Sequence, residues 1–408
     1  MAKPSKPRNN IVEFFRFIFS LLVVGYHVQM TYEDDVYDIF ENGAIAVEYF
    51  FLLSGYFLAR SLEKLAKDEK TNFFLKIYYF MKNKITALLN VHVLAIVAII
   101  IVIACCDTKS FADIFVPGIP SIFLVHMIIV WSPDFDKALI VPEWYISSML
   151  ICMLFMVFFY LLFCKILKGI YCTLILIGIL IIIALITGLA TSWKFNQNLI
   201  YNFRAWSEMC IGMLSYYVSL PIKANTYSDC VIIILKIVEM VGYVVPAIVG
   251  IIPYNLDFKT YALGVIFIFV AVFITFAEKG NVVQNEKVNF VFGYLGAISL
   301  PIYLFHPVII SLIDYLKKDM PKYAKHLIVF PSSIVLAFLY RFIANWLNKL
   351  MAEREKEKKK LEEEKKEDEK EKEKEKEVVV LNDQGQHESQ RIVNNENNQI
   401  NLQPSTDK

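Results

Sequence analysis

Three side chains that prefer water stand in one apolar stretch, Ile11–Met30, which reads IVEFFRFIFSLLVVGYHVQM: Glu13, Arg16 and His27. About 20 residues rising ~1.5 Å each cover the ~30 Å hydrocarbon layer of a bilayer, so the stretch reads as one membrane helix. A charged group at the centre of such a helix costs on the order of 3 kcal/mol, which confines it to a protein interior or a watery cavity. Arg16 and His27 are eleven positions apart. At ~100° per residue both project from one face, roughly 16 Å apart along the axis. Glu13, one turn before Arg16, can neutralise the guanidinium. One face thus holds a cation low down and, further along, an imidazole, and such groups in lipid ask for a functional explanation. The plain alternative is a structural ion pair and a histidine satisfied by a neighbouring helix.

The next apolar stretch, Gly43–Arg60, carries Glu48, Ser54 and Gly55. Entering from the opposite side, it places Glu48 at about the depth of His27, where a carboxylate could orient the imidazole. Ser54 and Gly55 are small enough to let another helix approach, and packing is the reading preferred for them.

The elements that must hold these residues follow from composition. Of 408 residues 57% are hydrophobic, although the last ~55 are almost wholly polar, and mean hydropathy is +0.49. The expectation is an all-α, polytopic transmembrane bundle of about ten helices around a polar interior cavity. The net charge of +1 conceals segregated charges and so says nothing useful about partners; no nucleic-acid partner is expected. Seven cysteines show no metal or redox spacing, so no metal is expected and they read as small packing residues.

The loop Thr31–Asn42 is acidic, whereas Arg60–Lys84 carries Lys64, Lys67, Lys70, Lys76 and Lys82. The excess of cations places that second loop and both termini in the cytoplasm. The basic start leads into a helix too long and too charged for a signal-peptide core, so the helix is expected to be retained. Further spans are expected at Asn72–Ala104 (with an interfacial start), Glu143–Phe163, Ile170–Ala190, Tyr201–Leu220, Cys230–Ile252, Lys259–Ala277, Phe290–Leu316 and Lys325–Leu350. Phe111–Trp131, broken by Pro117, Gly118 and Pro120, reads as re-entrant or interfacial. Arg204 and Glu208, four apart, suggest an internal ion pair. The cations Lys317, Lys318, Lys322 and Lys325 fall on the outer side, against the charge rule. Residues 1–350 are therefore expected to form the membrane domain, Met351–Glu377 a charged solvated helix, and Val378–Lys408 a disordered Asn- and Gln-rich tail.

Within Phe290–Leu316 the run YLGAISLPIYLFHPVII puts His306 near mid-depth between Pro301 and Pro307, whose missing N–H groups leave carbonyls that only protein or water can cover. His306 is thus expected to face an interior cavity.

Three stretches together resemble the integral-membrane acyltransferase-3 family, which includes bacterial O-acetyltransferases of surface polysaccharides. The first is Glu13, Arg16 and His27; the second Val47, Glu48, Phe50, Phe51, Ser54, Gly55 and Tyr56; the third Gly296, Ser299, Tyr303, Leu304, His306 and Pro307. The resemblance implies transfer of an acyl group, usually acetyl, from cytoplasmic acyl-CoA (acetyl-CoA) to a glycan hydroxyl across the inner membrane of a bacterium, with membrane lipid as surroundings. It implies His27 as general base, Glu48 orienting it, and Arg16 contacting the donor with Lys82 and Lys84 nearby; Glu13, Ser54, Ser299, Tyr303 and His306 would line the cavity. The chain departs from the family where Arg-x-x-Arg-(Leu/Ile)-x-Pro is usual, offering Lys84, Ala87 and Asn90. A lysine lacks the bidentate fork of arginine. The rival from another class is a transporter or flippase whose intramembrane His, Arg and Glu line a substrate or proton path.

Overall fold

The computed structural model describes residues 9–31, 39–106, 118–125, 127, 139–190, 197–253, 257–283, 285–317 and 320–400. Ten long helices are present among them: α1 Asn10–Gln29, α2 Ile45–Ala66, α3 Phe73–Cys106, α4 Trp144–Phe163, α5 Gly169–Ala190, α6 Gln197–Ala224, α7 Asp229–Ile251, α8 Phe258–Phe276, α9 Glu286–Leu316 and α10 Lys322–Ile400. No strand occurs among the described residues. The expected all-α polytopic bundle is the one observed. By length and composition eight of the helices could cross a membrane; α5 has only Gly169–Ile182 as its described apolar part, and α6 carries Arg204, Glu208 and many hydroxyls. The polarity of α6 has a reason in the packing, because it lies against α2, α4, α5 and α8 rather than lipid.

The chain divides into two compact units, Met1–Tyr340 and Arg341–Lys408, a boundary earlier than the Leu350 expected from composition. In the second unit the exposed Glu/Lys run is helical and pairs Lys359 with Glu355 at 3.0 Å, one turn apart. The helix continues to Ile400. Residues 378–400, expected to be disordered, are therefore helical, while 401–408 lie outside the described residues.

Hydrogen bonds sort the helix termini of the first unit into two ends. At one, Asn10 at the start of α1 donates to Asn289 at the start of α9 (2.6 Å). There too Tyr217 of α6 donates to Glu63 of α2 (3.2 Å), and Lys223 after the bulk of α6 pairs with Glu278 after α8. At the other, the Phe40 N–H reaches the Ile251 carbonyl at the end of α7 (3.1 Å), Arg204 of α6 joins Glu48 of α2, and Lys325 of α10 donates to Thr31 after α1 (2.7 Å). Lys325 also pairs with Asp314 of α9. Consecutive helices thus run alternately. α3 begins at the first end and α4 begins at the second, so the chain leaves and re-enters the bundle on one side between them. That agrees with Phe111–Trp131 not crossing; most of that segment lies outside the described residues, but 118–122 form a short helical turn.

Small residues set the closest approaches. A Cβ on Gly55 of α2 would strike the Met209 backbone of α6, and one on Gly212 would strike the Leu52 carbonyl. The packing role expected at Gly55 is therefore the observed one. α1 packs most extensively on α9, where Gly296 leaves room for the Glu13 side chain. Stacked rings fasten the centre: Phe19 on Tyr49 and Phe15 on Tyr243, both with centroids 4.4 Å apart.

Candidate active site

Asn9 caps α1, accepting from the Ile11 N–H at 3.0 Å, and one turn on, Arg16 donates to Glu13 at 3.0 Å. The expected ion pair is present. Glu13 is buried, yet the Arg16 side chain keeps 31% of its surface exposed, because it stands where two cavities meet.

The smaller cavity, about 300 Å³, is lined by Arg16, Ser54, Lys84, Ser299 and Tyr303, with Tyr145, Met149 and Met153 among its other walls. Five of the residues singled out in the sequence thus converge. Its hydroxyls are already engaged: Ser54 and Tyr145 share a bond of 3.3 Å, Ser299 donates to the Gly296 carbonyl at 2.8 Å, and Tyr303 donates to the Pro142 carbonyl. The larger cavity, about 930 Å³, lies at the end where α1 begins and is lined by Glu13, Arg16, Arg60, Glu63, Lys64, Lys67 and Lys223, among others. Lys82 lines neither; its ammonium sits 5.8 Å from the Tyr78 ring.

His27 meets a partner the sequence did not suggest. Its ring lies 5.3 Å from that of His306, centroid to centroid, and His306 is 6.0 Å from Tyr303. His306 is fully buried within α9, which stays helical through Pro301 and Pro307. Its Nδ1 is 3.3 Å from the Ile302 carbonyl. A carbonyl only accepts, so Nδ1 carries the proton and Nε2 a lone pair; Nε2 has no hydrogen-bond partner among the described residues.

Glu48, by contrast, does not orient His27. Its Oε1 accepts from Arg204 Nε and from the Tyr261 hydroxyl, both at 2.5 Å, while Arg204 also donates to Tyr261 at 2.8 Å and to the Ala44 carbonyl at 3.2 Å. The salt bridge expected between Arg204 and Glu208 is accordingly made to Glu48 instead. A helical spacing of four made Glu208 the obvious partner, but the parallel packing of α2 on α6 brings Glu48 closer. The Trp144 ring covers the guanidinium at 5.6 Å.

Sequence reasoning missed two polar supports. Glu239 of α7 accepts from Thr275 (2.5 Å) and from the Asn281 side chain (2.8 Å), tying down the turn after α8 beside the larger cavity. His92 of α3 bonds the Ser121 carbonyl at 3.1 Å and lies 3.9 Å from Glu143, next to the Pro142 carbonyl that receives Tyr303. The signal available was a lone buried-type Glu or His inside an apolar run.

A family model described as an acyltransferase domain (Acyl_transf_3) matches residues 9–347. The chain belongs to the acyltransferase-3 family. Comparison with curated proteins and with solved structures returns no match. The matched region of this acyltransferase-3 member takes in both cavities, the His27–His306 pair and the Glu48–Arg204 pair. It is a membrane acyltransferase by family and by its apolar helices.

Proposed function

We propose that this acyltransferase moves an acyl group from acyl-CoA, held from the lysine-rich cytoplasmic end, to a hydroxyl of a surface or secreted glycan on the other side of a bacterial inner membrane. One observation carries the reading: Arg16 lines both cavities at once. The larger cavity has the size of a cofactor site and offers Arg60, Lys64 and Lys67 to phosphates. An acyl-CoA lying there would bring its thioester to Arg16, whose guanidinium stabilises the oxyanion formed on attack. The lysine at position 84 in place of the usual arginine then contributes charge rather than a bidentate grip.

In the net reaction the thioester C–S bond breaks, an ester C–O bond forms and the hydroxyl proton goes to His27. The CoA thiolate leaves by the larger cavity, while His27, standing roughly 16 Å along α1 from Arg16, takes that proton at the acceptor's end. Its neighbour His306 supplies the lone pair toward which a protonated imidazole would turn, the part first given to Glu48. Glu48 keeps the α2–α6 end in shape.

The test is release of CoA thiol from acyl-CoA by the purified chain in nanodiscs, with mass spectrometry of the host glycan in the presence and absence of the gene. The expected result is thiol release dependent on Arg16 and His27 and a glycan mass shift of one acyl unit. Proton-coupled uptake with no thioester consumed under any acceptor would replace the reading with transport.

A further inference from the structure

We propose that the group transferred is a medium-length acyl chain, about six to ten carbons, and that the smaller cavity houses it. The inference rests on the acyl-CoA reading above and adds the class of donor. The cavity holds about 300 Å³; at ~30 Å³ for a water molecule, and about the same for a methylene, that is room for roughly ten heavy atoms. An acetyl group would leave most of it vacant.

Water is a poor occupant of the remainder. A buried water needs two to four polar partners; away from Arg16 and Lys84 the space offers only hydroxyls already bonded to the protein, Ser54 with Tyr145, Ser299 to Gly296 and Tyr303 to Pro142, which keep only lone pairs to accept with. What remains between them is apolar, with Leu53, Ile146, Met149 and Met153 buried. Methionines suit a flexible chain because their unbranched thioethers adapt to its shape.

Two features choose the donor's chain over another apolar occupant. Arg16 and Phe57 line both cavities, so a thioester placed beside Arg16 would send its chain to one side and its head group to the other. The cations Arg16 and Lys84 on its walls also suit a ligand with a polar, anionic head.

Binding of CoA, acetyl-CoA, butyryl-CoA, octanoyl-CoA and palmitoyl-CoA to the full chain in nanodiscs, corrected for partition into empty discs, tests this. Burial is worth about fourfold per methylene at most, so octanoyl-CoA is expected to bind at least ~10-fold tighter than acetyl-CoA, with palmitoyl-CoA falling back. Met153→Phe, or Met149→Phe if the first does not fold, narrows the space and should move the preference toward butyryl-CoA. Acetyl-CoA binding as tightly as octanoyl-CoA overturns the proposal, as it would if a membrane lipid filled the cavity. So does an octanoyl preference that neither variant moves. Failure of every ester and of CoA itself to bind has a different meaning and removes the acyl-CoA reading.

Discussion

Two arginines stand in membrane helices of one unit, and their surroundings could hardly differ more. Arg204 is clamped by Glu48, Tyr261, the Ala44 carbonyl and the face of Trp144. Arg16 has the single acidic partner Glu13, and the rest of its guanidinium opens onto two cavities. Arg204 spends three of its five N–H donors on Glu48 of α2, on Ala44 at the α2 cap and on Tyr261 of α8, whereas Arg16 spends one on Glu13 of its own helix; a cation tied across helices holds them together, and one with most donors left over can receive a ligand. The same residue type thus stands in two settings, and the number of protein partners separates them; the proposed function gives Arg16 the ligand.

That contrast can be broken at either arginine. Replacing Arg204 with Leu strands Glu48 in the interior, and losing one partner of a buried pair costs about 3–5 kcal/mol; thermal unfolding in detergent should show a large drop or no folded protein. A stable Arg204→Leu variant would show that the clamp is dispensable. Arg16→Ala also leaves buried Glu13 without its partner, but Glu13 borders the larger cavity, so the unfolding temperature should fall less than at Arg204, while acyl transfer should fall by roughly 10²–10³-fold, the scale of losing an oxyanion donor. Initial-rate assays on the purified variant would decide, and equal losses of stability at the two sites would erase the distinction.

Smaller changes sharpen it. Gly55→Val forces α2 away from the Met209 backbone and should cost about 1–3 kcal/mol, read as a shift in unfolding midpoint, while leaving Arg16 untouched. Lys223→Ala removes a pair in which both side chains are about half exposed or more, 48% and 68%. Such pairs are worth ~0–1 kcal/mol, so stability should barely move; a drop comparable with that of Arg204→Leu would mean the pair closes the larger cavity.

The helices and the cavity-lining residues were legible because burying a charge in lipid leaves a trace that local periodicity can read. Glu13 with Arg16 is a contact within one turn, and Ser54, Ser299, Tyr303 and Lys84 came from ordered motifs on three helices. What failed depended on which helices pack together. Glu48 belongs to Arg204 across 156 positions, His27 to His306 through the α1–α9 contact, and spacing along one helix holds no information on either. Residues 378–400 continue the helix although their composition argues against a core; a solvated helix needs none.

Lys325 takes one of four charges out of the basic turn that stood against the charge rule. Joined to Asp314 and bonded to Thr31, it is half of an internally neutral couple, so rules that tally loop cations to orient a chain overcount this hairpin by one. During insertion α9 and α10 can then enter the bilayer as a unit already carrying its own counterion.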